Sequence, residues 1–289
     1  MKYSKIFTFI LLSILVTACT NAGLFVANTL SRFGDYSVHR NISYGDKNEQ
    51  LLDIYIPGNI TELNKSSLTT VVFFYGGCWG ACNELEKDDY RFVGQAFATN
   101  NIVTVIVDYR QFPNVLFHEI INDSARAVDW VNNNITSYTG SPSNIYLMGH
   151  SSGAHLASML NFNETYLAKA TYKNIKGFIG LAGAYDFLPF DEPYQPALFA
   201  PPSEYPNSQT INFVDGDEPP SLLLYGNNDS RVKRRNVTSL SALINNKKGA
   251  VETRFYDDID HVGILSALSI PFRDDEVVFS DILAFVNRQ

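Results

Sequence analysis

The 289-residue chain is 45% hydrophobic and 13% aromatic, enough apolar side chain to bury a substantial core in one α/β domain. Its formal net charge of -8, with only short basic runs such as Lys233 to Arg235, excludes a nucleic-acid backbone as a partner. The excess carboxylates make a soluble surface that mildly repels anionic substrates.

At the start, Lys2 and Lys5 precede Ile6 to Val16, a mostly apolar stretch too short to span a bilayer, which predicts a signal peptide and export. The following Val16-Thr17-Ala18-Cys19 resembles the bacterial lipoprotein lipobox. That resemblance implies a signal peptide over 1–18, acylation of Cys19, an anchor or linker over 19–35 and a membrane-surface location facing the periplasm or the cell exterior. Thr20 is uncharged, which in that pattern favours the outer membrane. An ordinary cleaved signal with a chance cysteine is the alternative reading.

Beyond the leader, strand-like and helix-like stretches alternate, which predicts an α/β fold with a mostly parallel sheet, helices on both faces and a single domain over 36–289. Alternating residues in Ser37 to Tyr44 and Leu51 to Pro57 predict an antiparallel hairpin at the N-terminal edge. Thr69 to Tyr75 reads as a buried strand ending at Gly76-Gly77, and Asp88 to Asn100 as a helix. Ile102 to Tyr109 is β-branched and strand-like, whereas Phe117 to Asn134 has helical spacing of Ile120, Ile121, Ala125, Val128 and Trp130.

A short strand over Asn144 to Met148 then meets Leu-Met-Gly-His-Ser-Ser-Gly at 147 to 153, and Ala154 to Asn161 opens an apolar helix. Later strands are predicted over Ile175 to Ala184, Ser221 to Gly226 and Val251 to Tyr256, with helices over Val237 to Ile244 and Asp275 to Val286. Phe187 to Pro220 is rich in Pro, Asn, Ser and aromatics without periodicity, so it reads as a long inserted loop, a candidate cap or substrate wall.

Ser151 between Gly149 and Gly153 fits a strained strand-to-helix turn that presents a nucleophilic hydroxyl; a Gly-rich turn with a capping serine is the bland alternative. A serine hydroxyl needs a base, and the chain offers five histidines. His39 is in an edge strand, His118 lies before the elbow, His150 must point away from its neighbour Ser151, and His155 at i+4 packs under the elbow. His261 remains, in a polar loop at the carboxyl end of the last strand. The acid that orients it follows Ser151 and precedes His261 in chain order, which selects Asp229, with Asp186 next and Asp257, Asp258 and Asp260 too close to His261.

Developing negative charge needs backbone donors, which the sharp turn Tyr75-Gly76-Gly77-Cys78-Trp79 and the amide of Ser152 offer. Cys78 and Cys82 form either a small disulfide or two buried thiols. Two cysteines with no nearby histidine do not make a tetrahedral site, so neither metal nor cofactor is expected.

Tyr-Gly-Gly-Cys-Trp at 75 to 79, Asp-Tyr-Arg at 108 to 110, Gly-His-Ser-Ser-Gly-Ala-His-Leu-Ala at 149 to 157, Gly-Asn-Asn-Asp at 226 to 229 and His261 resemble the α/β-hydrolase superfamily. Within it the chain is similar to the carboxylesterases of the hormone-sensitive-lipase, kynurenine-formamidase and isoprenylcysteine-methylesterase branch. The resemblance implies Ser151 as nucleophile, Asp229 as acid, His261 as base and the amides of Gly77, Cys78 and Ser152 as the oxyanion hole. It implies hydrolysis of short- to medium-chain esters; arylformamidase or other amide chemistry, and a catalytically silent ligand-binding lipoprotein, are the rival functions. Tyr75 departs from the usual His-Gly-Gly start of the oxyanion motif, and Asp108 and Arg110 match a segment whose role is structural.

Overall fold

The computed structural model describes residues 23–61, 67–82, 85–273 and 277–288. The expected signal peptide, Cys19 and the first residues of the closing helix at 275–276 lie outside the described residues. Helix α1 (23–30) leads into strands β1 (Tyr36–Ser43), β2 (Leu51–Pro57) and β3 (Leu68–Phe74). Then come α2 (Arg91–Ala98), β4 (Val103–Val107), α3 (Phe117–Asn134), β5 (Gly140–His150), α4 (Ser152–Phe162), α5 (Lys169–Tyr172) and β6 (Ile175–Leu181). The chain closes with α6 (Gln195–Leu198), β7 (Ser221–Gly226), α7 (Arg235–Asn246), β8 (Val251–Tyr256), α8 (Gly263–Ser266), α9 (Ile270–Arg273) and α10 (Val277–Val286).

All eight strands form one sheet in the order β1-β2-β4-β3-β5-β6-β7-β8. Pairing is antiparallel for β1/β2 and β2/β4 and parallel from β4 across to β8. The N-terminal hairpin is the antiparallel edge that its alternating residues predict. Its second strand is nonetheless buried almost throughout, because α2 packs on it: a Cβ on Gly94 would come 2.4 Å from the Tyr55 ring. The one carboxylate in that strand, Asp53, is accommodated by the amide of Asn41 at 2.8 Å and by Arg40 at 3.0 Å.

Helices cover both faces. Successive strand residues point to opposite sides, and a Cβ on Gly177 would lie 3.0 Å from Phe285 of α10 while the Phe178 ring packs on Phe162 of α4. Helix α2 shares the first face, through Phe97 against Phe279, and α3 lies beside α4 on the second. The central strands β3, β4 and β5 contribute fully buried residues such as Val72, Phe73, Val105, Ile106 and Leu147, matching their near-continuous apolar sequences.

Several bounds differ from the sequence reading for identifiable reasons. Strand β5 begins at Gly140, running through Ser141-Pro142-Ser143, because Leu68 pairs with Gly140 before the register shifts. Strand β6 stops at Leu181, where Ala182 turns to φ 49° with its amide on the Leu224 carbonyl at 2.9 Å. The insertion between β6 and β7 folds into short helices of one or two turns over Gln195–Leu198, Pro202–Ser208 and Thr210–Phe213. Its side-chain amides hold these turns: Gln195 accepts from the amides of Asp191 and Glu192, and Gln209 from that of Phe187.

Candidate active site

Ser151 follows β5 at φ 55°, ψ -124°, backbone angles that a side chain disfavours and that only firm neighbours maintain. Its amide donates to the Leu181 carbonyl at 2.9 Å, and its own carbonyl accepts from His155 at 3.2 Å as α4 begins. The flanking glycines are sterically required. A Cβ on Gly149 would lie 2.3 Å from the Gly153 backbone, and one on Gly153 only 2.1 Å from the Phe74 carbonyl oxygen. Strand β5, the exit of β3 and the first turn of α4 thus meet closer than any other residue allows, and the serine stands at their junction.

Asp229 lies beyond β7 and His261 beyond β8, so the parallel sheet brings both to the same carboxyl edge as Ser151. The Nδ1 of His261 is 2.7 Å from Asp229 Oδ2, and the carboxylate is completely buried. The other carboxylate oxygen accepts the amides of Arg231 at 2.8 Å and Val232 at 2.9 Å. Burial alone would raise the Asp229 pKa, but His261 and those two amides outweigh it and hold the carboxyl below its usual range. Asp229 is therefore anionic at neutral pH, and Nε2 of His261 is the ring nitrogen left for a proton transfer.

The rival carboxylates are occupied elsewhere or unconnected to the imidazole. Asp257 accepts from Asn227 at 2.7 Å, and Asp260 caps its own turn through the amides of Val262 and Gly263 at 3.1 and 2.6 Å. Asp186 is held through its backbone amide by Asn236.

The loop after β3 has four successive residues at positive φ: Gly77 at 110°, Cys78 at 57°, Trp79 at 58° and Gly80 at 103°. Two of these are not glycine, at a cost of about 1–2 kcal/mol each. A Cys78–Cys82 disulfide closes the loop, resolving the two readings of that pair in favour of the bridge. Inside it, the amides of Gly80, Ala81 and Cys82 are spent on the carbonyls of Gly77 and Cys78, and the Trp79 amide donates to Ser152 Oγ at 3.2 Å. Among the described residues the amides of Gly77 and Cys78 are engaged by no backbone acceptor. The Ser152 amide opens α4, where helical geometry provides no intrahelical partner.

Tyr75 is turned to structural use. Its ring stacks between Tyr90 and Tyr109 at centroid distances of 5.1 and 5.0 Å, and its hydroxyl donates to Asp108 Oδ1 at 2.9 Å. Asp108 also accepts from the Lys87 amide at 2.6 Å and pairs with the Lys87 ammonium at 3.1 Å. Arg110 grips Asp123 with two bonds of 2.8 Å. The segment 108–110 thus fastens the exit of β4 to the exit of β3 and to α3.

Two histidines do more than their sequence context suggested. His150 is buried, and its Nε2–H donates to the backbone carbonyl of His261 at 2.8 Å, with the two rings 4.8 Å apart. Its Nδ1 faces Gly76, where a Cβ would come within 3.3 Å. The residue before the serine therefore touches both the loop after β3 and the segment that carries His261. Burial, then the facing His261, drive its pKa down to about 3. His155 is fully buried below the elbow, bonded to the Ser208 carbonyl at 2.7 Å and to Trp79 Nε1 at 3.2 Å. Burial lowers it to about 4. The rings of Phe117, Phe187 and Phe199 surround it, so the insertion packs directly against the underside of the elbow.

A family model described as BD-FAE matches residues 52–244, well over half of the chain. The isoprenylcysteine alpha-carbonyl methylesterase of Arabidopsis thaliana is 33% identical over 168 residues, covering 56% of this chain and 38% of that protein. The kynurenine formamidase of Salmo salar is 29% identical over 154 residues, covering 53% and 48% respectively. The chain thus spans less than half the length of each of these relatives. Among solved structures, esterase B from Lactobacillus rhamnosis superposes with a TM-score of 0.74 at 16% identity, covering 96% of both chains. That likeness establishes the α/β-hydrolase fold.

Proposed function

From the premise that the chain belongs to the BD-FAE family, we propose that it is a serine carboxylesterase hydrolysing short- to medium-chain esters through an acyl-enzyme. The observation that carries this reading is the positive-φ Ser151 at the same sheet edge as a buried Asp229–His261 pair. In this mechanism Ser151 Oγ attacks the ester carbonyl while His261 Nε2 takes its proton. The anionic Asp229 stabilises the imidazolium that forms and fixes which ring nitrogen faces the serine. The amides of Gly77, Cys78 and Ser152 receive the negative charge on the substrate oxygen. Imidazolium then protonates the departing alcohol, and water, activated by the same imidazole, releases the acid.

Neither metal nor cofactor has a step in this chemistry. The lipobox-like Val16-Thr17-Ala18-Cys19 supports export, an acyl anchor at Cys19 and, with them, a location at a bacterial membrane surface. Amide chemistry is the second reading, favoured by the kynurenine formamidase relatives.

Fluorophosphonate labelling of the protein, beside an acyl-chain series of nitrophenyl esters and an aryl formamide, tests the proposal. The wild type is expected to label and to turn over short esters, and Ser151→Ala to do neither. Formamide kcat/KM exceeding every ester would transfer the assignment to the amide reading, and the absence of both labelling and turnover would end the enzyme reading.

A further inference from the structure

Large apolar side chains exposed singly are ordinary on a protein surface, whereas a contiguous group of them marks a contact. Among the described residues, six of the seven such side chains come from two segments at opposite ends of the chain. Phe25, Val26 and Phe33 belong to α1 and its exit; Ile270, Phe272 and Val277 belong to α9 and the start of α10. Phe25 and Phe33 are 72% and 67% exposed, and Val277 and Phe272 are 59% and 52%.

The fold brings the segments together. Gln95 of α2 donates from Nε2 to the Phe33 carbonyl at 3.0 Å and accepts at Oε1 from Arg273 at 2.7 Å. Helix α1 is fixed in this orientation by polar bonds: Asn28 donates to the Asp89 carbonyl at 2.8 Å and accepts the Phe92 amide at 3.3 Å. The outward phenyl groups are therefore presented by a docked element.

We propose that this face of α1 and α9 rests on the lipid surface to which the chain is anchored, an inference that builds on the acylated-Cys19 reading. Cys19 precedes Gly23 by four residues, which span at most about 14 Å fully extended. An acyl chain on Cys19 therefore holds the start of α1 within that distance of the headgroups, so the face nearest the bilayer is the one with the exposed aromatics. Aromatic and aliphatic side chains at the headgroup level gain from partial burial, and they supply a second attachment beside the acyl chains. The chain carries a net charge of -8, which favours zwitterionic over anionic headgroups.

The test uses the full chain, purified in detergent and reconstituted into phosphatidylethanolamine–phosphatidylcholine vesicles, with an environment-sensitive fluorophore on Phe25→Cys, Phe272→Cys or Ser203→Cys. Ser203 is exposed in the insertion, which packs on the opposite face of the sheet. Mass spectrometry of the N-terminal peptide reads acylation independently. Expected are an acylated Cys19, blue-shifted emission at positions 25 and 272 quenched by doxyl lipids, and no change at 203. An acylated protein whose labels at 25 and 272 stay in water would overturn the proposed face and leave the anchor standing. A peptide without lipid would overturn the anchor and this inference with it. Shielding of both labels without vesicles, at twice the monomer mass, would assign the face to a second copy of the chain and overturn the lipid surface.

Discussion

At the level of single residues, the imidazole of His261 is held from two directions. Asp229 fixes its Nδ1, and His150 fixes the backbone carbonyl that carries it. Replacing Asp229 by Asn removes the anion while keeping the shape, and kcat is expected to fall by about four orders of magnitude, as orienting carboxylates in such triads do. For His150 the donor to the His261 carbonyl is what counts. His150→Gln keeps an N–H at a similar reach and should retain kcat within a few-fold, whereas His150→Leu should lower kcat by about a hundredfold with KM little changed, the size of effect expected of a small misplacement of a reacting group. Steady-state kinetics on a short-chain nitrophenyl ester separates the two. Equal losses in both variants would mean that the ring itself, and not its donor, is required.

At the level of elements, the carboxyl ends of β3, β5, β7 and β8 were legible because each leaves a local mark. Glycine pairs follow β3 and surround Ser151, and polar runs follow β7 and β8. These marks place Ser151, Asp229 and His261 on one edge without any knowledge of the sheet order. What the sequence hid depends on contacts between distant segments. His150 and the His261 carbonyl are 111 residues apart, and no spacing rule announces their bond. The insertion has no periodicity because it is built of helices only one or two turns long, whose order comes from Phe187, Phe199 and Gln209 packing on α4 and on each other. The loop closed by Cys78 and Cys82 is intermediate: two cysteines four apart were visible, but the run of positive φ angles was not. Closing so short a loop stabilises the chain by only about 2 kcal/mol through the unfolded state. Its greater effect is expected to be local, since it keeps two non-glycine residues in a left-handed conformation in the loop whose Gly77 and Cys78 amides the proposed mechanism uses. The double variant Cys78→Ala/Cys82→Ala is therefore expected to lose about tenfold or more in kcat, a fraction of one oxyanion donor, while its urea midpoint moves only modestly. A large loss of stability with unchanged kcat would reverse that ranking.

For the molecule as a whole, buried ionisable groups set the pH range in which the fold is stable. His150 and His155 are held at about 3 and about 4, both below the ordinary imidazole value of 6.5. Each is neutral when folded and protonated when unfolded over the interval between those values, so the unfolded chain binds more protons and stability falls as the pH drops below about 6.5. Each contributes a slope of up to about 1.4 kcal/mol per pH unit. Asp229 adds to the loss further down: its folded pKa lies below the ordinary aspartate value of 3.8, so its contribution, present above 3.8, disappears as the pH falls through the folded value. On the alkaline side the buried Tyr75, Tyr90 and Tyr109 stack acts in reverse, because burial raises all three phenols above 10. Unfolding lets them ionise, and stability declines once the pH passes about 10. A plateau between about pH 6.5 and 10 follows. His155→Gln isolates one component, since the amide can accept from Trp79 and donate to the Ser208 carbonyl as the neutral imidazole does, without a proton to take up. Urea unfolding between pH 6 and pH 4.5 should give a slope shallower by about one proton, or 1.4 kcal/mol per pH unit, in this variant than in the wild type. Parallel slopes would mean that His155 is not neutral in the folded protein, and the loss between pH 6 and pH 4.5 would then belong to His150.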